Sequence, residues 1–422
     1  MKKLIPQNLK NIYHLFQAIL ANLWFGFPSR KIKVIGITGT DGKTTTTQMV
    51  AKILEGANKR VAMASTINFK INEKEWTNLS HFTTLSAFAV QKFIRQAVDN
   101  GCEYLVLETS SHSLDQYRVW GINYKTALIT NATREHLDYH KNMENYRQAK
   151  RKLFDKVETA IVNLGMEKPN DFLDCNARDI FGYGLKNESY ALLTTSYKLT
   201  PVIAENIELG IDGSVFTVGN QKFTLSLVGD FNIENALAAI SVGISENIDL
   251  ESCAQSLAQI KSVPGRMEYV PNERGLNILV DFALTPEALK KLYALLSKIK
   301  KPEAKVIAVF GACGERDRGK RPIIGEIVSQ YADFVILTND EPYHEDPIQI
   351  INEIAVGIKN KKEGQDFWII PDRREAIRFA LKIARPNDII AVTGMGAEES
   401  MVVGDKKIPW NDRKVILEEL SE

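Results

Sequence analysis

Cysteine is scarce: Cys102, Cys175, Cys253 and Cys313 are all there is in 422 residues, and none forms a CxxC pair. That excludes a disulfide framework and a thiolate zinc site, and it suits a reducing compartment. Neither sign of charge is in excess. The 53 basic and 52 acidic residues give a formal net charge of +1, so no global field favours nucleic acid or an acidic surface. A long apolar run is missing too. Residues 12–27 come nearest, but His14, Gln17 and Asn22 interrupt them, and the stretch is too short to span a bilayer. Two readings stay open for it. It is a helix packed on the domain that follows, or an interfacial helix touching a membrane or a protein partner. Lys2 and Lys3 are followed by polar Gln7, Asn8, Lys10 and Asn11, where a secretory leader needs an apolar core. The expected location is cytoplasmic.

What is present is a globular composition, 44% hydrophobic and 25% charged, over a length that predicts two or three domains. The most informative stretch runs from Val34 through Gly36, Gly39, Thr40, Asp41, Gly42, Lys43, Thr44 and Thr45. An apolar strand feeds a glycine-punctuated turn, and a helix follows. Glycines let backbone N–H groups crowd an anion, the helix offers its positive end, and the lysine reaches outer phosphates. The Thr44 hydroxyl is then placed to hold Mg²⁺. Ile37 stands where a strict GxxxxGK[ST] has its first glycine.

Strand-like runs at 32–37, 61–64, 104–108, 127–130 and 160–163 alternate with helical stretches at 44–54, 86–100 and 143–154. This rhythm predicts a parallel sheet covered on both faces, with ligands at the strands' carboxyl ends. Residues 185–228 read as a smaller β-rich insertion, and 231–245 as a helix returning to the core. A boundary is expected near Ser262-Val263-Pro264-Gly265, after which the β-α alternation restarts through 278–393. The expected organisation is an N-terminal helical segment (1–32), a P-loop doubly wound α/β ATPase domain (33–262) and a second Rossmann-like α/β domain (263–422). The turns at Gly311 to Gly314 and Gly394 to Gly396 do not continue into GxGxxG helices, so no dinucleotide site is read there.

Three polar clusters follow predicted strands or helices. Glu108-Thr109-Ser110-Ser111-His112 ends a buried strand; its carboxylate could serve Mg²⁺, or the cluster could simply cap a helix. The loop from Asn131 to His140 holds two of the six histidines with Glu135 and Asp138. It reads either as a solvated loop or as a metal or acyl-phosphate neighbourhood. Residues 143–154 read as an amphipathic basic helix on which Lys150, taken alone, is a surface lysine.

Taken in order, TGTDGKTT, HFTT, ETSSHSLDQYR, TNATREHLDYH, MENYRQAKRKLF, GDFNIENALAA, VPGRME, DFALTPEAL, FGACGERDRGKRP and DEPYHEDP resemble the Mur ligase family from about residue 33 to the C-terminus. The MurE branch, the UDP-N-acetylmuramyl-tripeptide synthetases, is the most similar. The resemblance implies amide-bond formation in peptidoglycan synthesis. ATP phosphorylates a substrate carboxylate, an amine attacks the acyl phosphate, and ADP and phosphate leave. It implies that Gly39, Thr40, Asp41, Gly42, Lys43, Thr44, Thr45, Asn232, Asn235, Arg266 and Asp281 bind ATP. Thr44, Glu108, His136 and a carbamylated Lys150 (N6-carboxylysine) serve Mg²⁺, and Lys43, Lys150, His136 and Arg266 carry catalysis. Thr83, Thr84, Ser110, Gln116 and Arg118 match acceptor positions. Arg316, Asp340, Glu341 and Glu398 match positions around the incoming amino acid.

The sequence departs from the family at defined places. Some thirty residues precede the loop, too few for the family's uridine-binding domain, so the expected acceptor lacks UDP, is lipid-linked, or is held by a partner. The diaminopimelate signature DNPR reads Asp340-Glu341-Pro342-Tyr343; KGHE reads Met395-Gly396-Ala397-Glu398; AHTP reads Ala283-Leu284-Thr285-Pro286. Without the arginine, and with acidic Glu341, the expected amino acid carries an extra cation and no second carboxylate, as lysine or ornithine does. Two other readings are a ligase of the folylpolyglutamate or cyanophycin synthetase kind and a non-catalytic ATP-binding homologue.

Overall fold

The computed structural model describes residues 7–80, 83–210 and 213–421. It falls into two compact units. One holds the residues up to Thr133 together with His140–Lys261; the other holds Arg134–Tyr139 and the residues from Ser262 onward.

In the first unit, helices cover a sheet of eleven strands among the described residues. Its centre is parallel: Asp179–Leu185, Thr159–Asn163, Tyr124–Ile129, Lys33–Thr38, Tyr104–Glu108 and Val61–Ala64 lie side by side. Val34, Ile35, Ile37, Leu105, Val106, Ala127 and Leu128 are fully buried, as strands covered on both faces require. Residues 185–228, expected as a smaller β-rich insertion, are β-rich and continue the main sheet. Thr200–Gly210 pairs parallel with Asp179–Leu185, and Gly213–Val218 and Gln221–Leu225 then meander antiparallel onto the same sheet. The helix Tyr190–Tyr197 also lies within this stretch. At the opposite edge the hairpin of Asn68–Ile71 and Lys74–Thr77 was not legible. Its strands are four residues long and largely polar, so no apolar run marks them.

The register of the central strands fixes where chemistry can happen. Ile37 lies beside Glu108, Thr38 beside Ile129, and Ala64 beside Leu107. Those strands therefore end level, and the segments leaving them, which begin at Gly39, Thr109, Thr130 and Ser65, emerge at one sheet edge.

The N-terminal helix Gln7–Phe25 packs its Ala18, Ala21 and Asn22 side inward, and it contacts the helix Ala87–Asp99. Asn22 Nδ2 donates to Trp120 O, and Asn11 Nδ2 to Asp115 O. Among the described residues, no helix is long and apolar enough to cross a membrane.

Among the described residues the second unit has a six-stranded sheet in which Asn277–Asp281, Ile389–Thr393, Val306–Phe310, Phe334–Leu337 and Phe367–Ile369 run parallel. Glu268–Val270 is added antiparallel at the edge. Apolar clusters fill both faces, one around Tyr293 and Phe310, the other around Ile377 and Ile416. Arg373 opens the helix Arg373–Ile383 and is buried. It pairs with buried Asp412 through two bonds of 2.8 and 2.7 Å, and donates to Thr393 O and Asn339 O. One guanidinium thus joins two strand ends and the start of the helix Asp412–Ser421.

Removing Asp412 would leave a buried cation without its counter-charge, at a cost of about 3–5 kcal/mol. Asp412→Ala should lower the urea midpoint of the intact chain accordingly. A shift worth less than about 1 kcal/mol would show that the pair does not hold this sheet edge.

Candidate active site

The glycine loop 39–42 joins the strand Lys33–Thr38 to the helix Lys43–Gly56. Gly42 has φ +82°, and a Cβ there would stand 2.3 Å from Asn235 Oδ1. Only glycine fits without moving the loop. The N-cap position is Gly42, which has no side chain with which to cap the helix, and a glycine at a helix start suits the close approach of an anion. Asn131 holds the loop from behind: its Oδ1 accepts from Thr40 N (3.1 Å) and Asp41 N (3.0 Å). Thr130 Oγ1 donates to Asp41 O at 2.6 Å. Lys43 Nζ folds onto Thr40 O at 2.8 Å.

Beside the loop, Glu108 is buried at the end of its strand. It accepts from Thr44 Oγ1 at 3.2 Å and from Thr66 N and Oγ1 at 2.8 and 2.9 Å. Ser110 caps the short helix Ser111–Asp115. Thr84 Oγ1 donates to Glu108 O and accepts from Ser110 N, while Arg118 donates to Thr84 O at 2.8 Å. Thr83 Oγ1 lies 3.3 Å from Thr66 Oγ1. Gln116 is partly buried in the same segment. His81 and Phe82 of the HFTT motif lie outside the described residues.

Lys150 is not a surface lysine. It is 1% exposed and donates to Gly39 O at 2.7 Å, with Nζ 4.4 Å from the centre of the Tyr146 ring. Burial pulls its pKa well below the usual lysine range, and the Lys43 charge adds to that while Asp41 opposes it. The 131–140 stretch is not a solvated loop either. His140 is buried with Nε2 3.0 Å from Ser111 Oγ. Glu135 is buried against Lys320 at 3.0 Å, inside the second unit. His136, at φ +57°, also belongs to that unit, whereas Thr44, Glu108 and Lys150 belong to the first.

At the loop's far side, Asn235 Oδ1 accepts from Thr46 Oγ1, and Asn235 Nδ2 donates to Asn232 Oδ1. In the second unit Arg266 stacks 4.5 Å over the Phe282 ring. Asp281 accepts from Met267 N and Ala283 N, each at 2.6 Å, and so fastens the chain around Arg266. Asp340 is buried next to the turns at Gly311 and Gly394, where a Cβ would press on it. Burial pushes its carboxyl up to about 7, with Arg373 pulling the other way. Glu341 accepts from Val402 N and from the Tyr343 hydroxyl, and Arg316 lies 5.7 Å from the Tyr343 ring centre. Glu398 is partly buried just beyond the second turn, its N–H donating to Met395 O. Thr285 and Pro286 serve the fold, since Thr285 caps the helix Pro286–Ile299.

A family model described as the Mur ligase middle domain matches residues 37–243, and one described as the Mur ligase, glutamate ligase domain matches residues 265–396. A UDP-N-acetylmuramyl-tripeptide synthetase of Roseiflexus sp. (strain RS-1) is 38% identical over 94% of this chain and 80% of its own length. The chain is a Mur ligase. A UDP-N-acetylmuramoyl-L-alanyl-D-glutamate–2,6-diaminopimelate ligase of Syntrophomonas wolfei is 37% identical over 95% of this chain and 81% of its own. A solved structure of a ligase with that same name superposes with a TM-score of 0.61 at 29% identity, covering 92% of this chain and 78% of the other. The Mur ligases of this MurE type are ATP-dependent acid–amino-acid ligases, and so is this chain.

The residues fit the ATP and Mg²⁺ that the family uses. The glycine loop at this helix start suits phosphate. Among the described residues no group of three or more His, Cys, Asp and Glu side chains could hold a metal alone. Mg²⁺ commonly takes one or two protein ligands and completes its shell with water and substrate phosphate; Thr44 and Glu108 suit that arrangement. Asn131, Thr66 and Tyr146 were not assigned roles from sequence. Asn131 heads the loop expected as a solvated loop or a metal or acyl-phosphate neighbourhood; Thr66 is visible only once Ala64 is paired with Leu107.

Burial pulls the His140 pKa from 6.5 down to about 4, Lys150 and Lys152 pull the same way, and Asp115 opposes. The unfolded chain therefore binds this proton from about pH 6.5 downward while the folded chain declines it until about pH 4. Stability should fall as pH drops through that window. His140→Gln should reduce the slope in urea denaturation series; an unchanged slope would show that His140 titrates normally in the fold.

Proposed function

We propose that this ligase joins one amino acid to the carboxylate of a muramyl-peptide-like acceptor in peptidoglycan synthesis. The γ-phosphoryl group of ATP passes to the acceptor carboxylate. The amine then attacks the acyl carbon, the C–O bond to phosphate breaks, and ADP, phosphate and a proton leave. The observation that carries this reading is the glycine loop with Lys43 at its end and the Thr44–Glu108 pair beside it.

Such a transfer needs positioning and charge neutralisation rather than a nucleophilic side chain. Loop amides and Lys43 hold the phosphates in this reading. Thr44 and Glu108 would ligate Mg²⁺, which would neutralise charge on the transferring phosphoryl group. Lys150 deepens the fit. Burial lowers the Lys150 pKa and so favours the free amine, which can add to CO₂ with loss of a proton and give an anionic carbamate beside Lys43. His136 is assigned to metal, and Asn232, Asn235, Arg266 and Asp281 to nucleotide, on family resemblance. Thr84, Ser110, Gln116 and Arg118, with Thr83, are assigned to the acceptor. Arg316, Asp340, Glu341 and Glu398 are assigned to the amino acid.

Lys43→Ala should abolish ADP release in a coupled assay, and Lys150→Ala should do so with partial recovery in added formate or acetate. Release unaffected by Lys43→Ala would end the phosphate assignment. Full activity in Lys150→Ala would end the carbamate one.

On the amino-acid side, Glu341 stands where Tyr343 rather than arginine completes the motif. The enzyme should prefer lysine or ornithine to diaminopimelate by at least about tenfold in kcat/KM. Preference for diaminopimelate would overturn that assignment.

A further inference from the structure

The solvent side of the helix Gln7–Phe25 is apolar, the reverse of an ordinary surface helix. Leu9, Ile12, Tyr13, Phe16, Leu20, Leu23 and Trp24 recur at helical spacing and are all exposed, Trp24 at 81%. The helix does not owe this to loose packing. Its inner side is fastened by Asn11 to Asp115 O and by Asn22 to Trp120 O. Trp120 itself is 40% exposed.

Charge decides among the possible occupants. Residues 1–40 contain Lys2, Lys3, Lys10, Arg30, Lys31 and Lys33 and no acidic residue at all. Lys10 lies near one end of the stripe, and exposed Arg30 and Lys31 follow the other. On the neighbouring segments Asp99 is paired with Arg95 and Asp115 with Lys152. A second copy would bring the same cations against these. An anionic bilayer surface offers headgroups to the lysines and arginines and an acyl boundary to the aromatic and leucine side chains. We infer that this helix lies flat on anionic lipid and docks the enzyme reversibly at a membrane surface.

Docking of this kind does not depend on the reaction assigned above. One consequence does rest on that reading. Asp115 and Trp120 bracket Gln116 and Arg118, so the fastened helix ties the acceptor segment to the bilayer and suits an acceptor carried on a lipid anchor.

Flotation of the full-length chain with phosphatidylglycerol–phosphatidylcholine vesicles tests the docking. Binding should be strong in low salt, weaken with added salt, and be much weaker on phosphatidylcholine alone. Phe16→Glu with Trp24→Glu should abolish it, and Lys10→Glu, Arg30→Glu and Lys31→Glu together should reduce it several-fold. Circular dichroism and ADP release should stay those of the parent. Absence of flotation would overturn the inference, as would binding indifferent to these substitutions. Dimerisation through the stripe without vesicle binding, read by light scattering, would overturn it in favour of a second copy. Should ADP release fail in the parent while flotation holds, the ligase reading falls and the docking stands.

Discussion

The pairing of Ile37 with Glu108, and of Thr38 with Ile129, makes neighbouring parallel strands stop at one level. Everything chemical in the first unit follows from it. Backbone leaving a level edge has lost its sheet partners, so its N–H and C=O groups must be satisfied by side chains or by ligand. Asn131, Thr130, Thr84 and Glu108 satisfy much of this backbone and in doing so set the loop geometry. The helix Lys43–Gly56 begins at Gly42, a residue with no side chain to cap it.

The second unit solves the same problem with a buried cation. Asp281 pairs with Thr393, and Phe310 with Leu337, so these strands end together too. Arg373 bonds carbonyls that follow two of those ends and is itself neutralised by Asp412. Buried charge recurs in both units under different rules. Arg373 keeps its proton because an acid faces it, whereas Lys150 faces a carbonyl and is pushed toward neutrality. The first arrangement holds structure. The second lowers the pKa of a buried amine.

Alternation of apolar runs with helical stretches made both α/β units readable, and the loop residues from Gly39 to Thr45 were readable because their spacing answers a chemical need. Motif order carried the family. What stayed hidden was set by tertiary pairing. Lys150 lies on the same helical face as Tyr146, Ala149, Leu153 and Phe154, so the spacing did mark it for burial, and only its charge argued for the surface. His140 and Glu135 looked solvated because their partners, Ser111 and Lys320, are 29 and 185 residues away. The strands after residue 200 alternate inward and outward as an isolated β unit would, and only their ladder to Asp179–Leu185 shows that they extend the main sheet.

Calorimetric titration of a non-hydrolysable ATP analogue with Mg²⁺ into Gly42→Ala and Gly219→Ala variants tests the loop most directly. Both glycines have positive φ, but a Cβ at Gly42 strikes Asn235 while one at Gly219 meets open space. The Gly42 variant should lose about tenfold or more in affinity, and the Gly219 variant should bind like the parent. Unchanged binding by the Gly42 variant would mean that the nucleotide's phosphates do not rest on this loop.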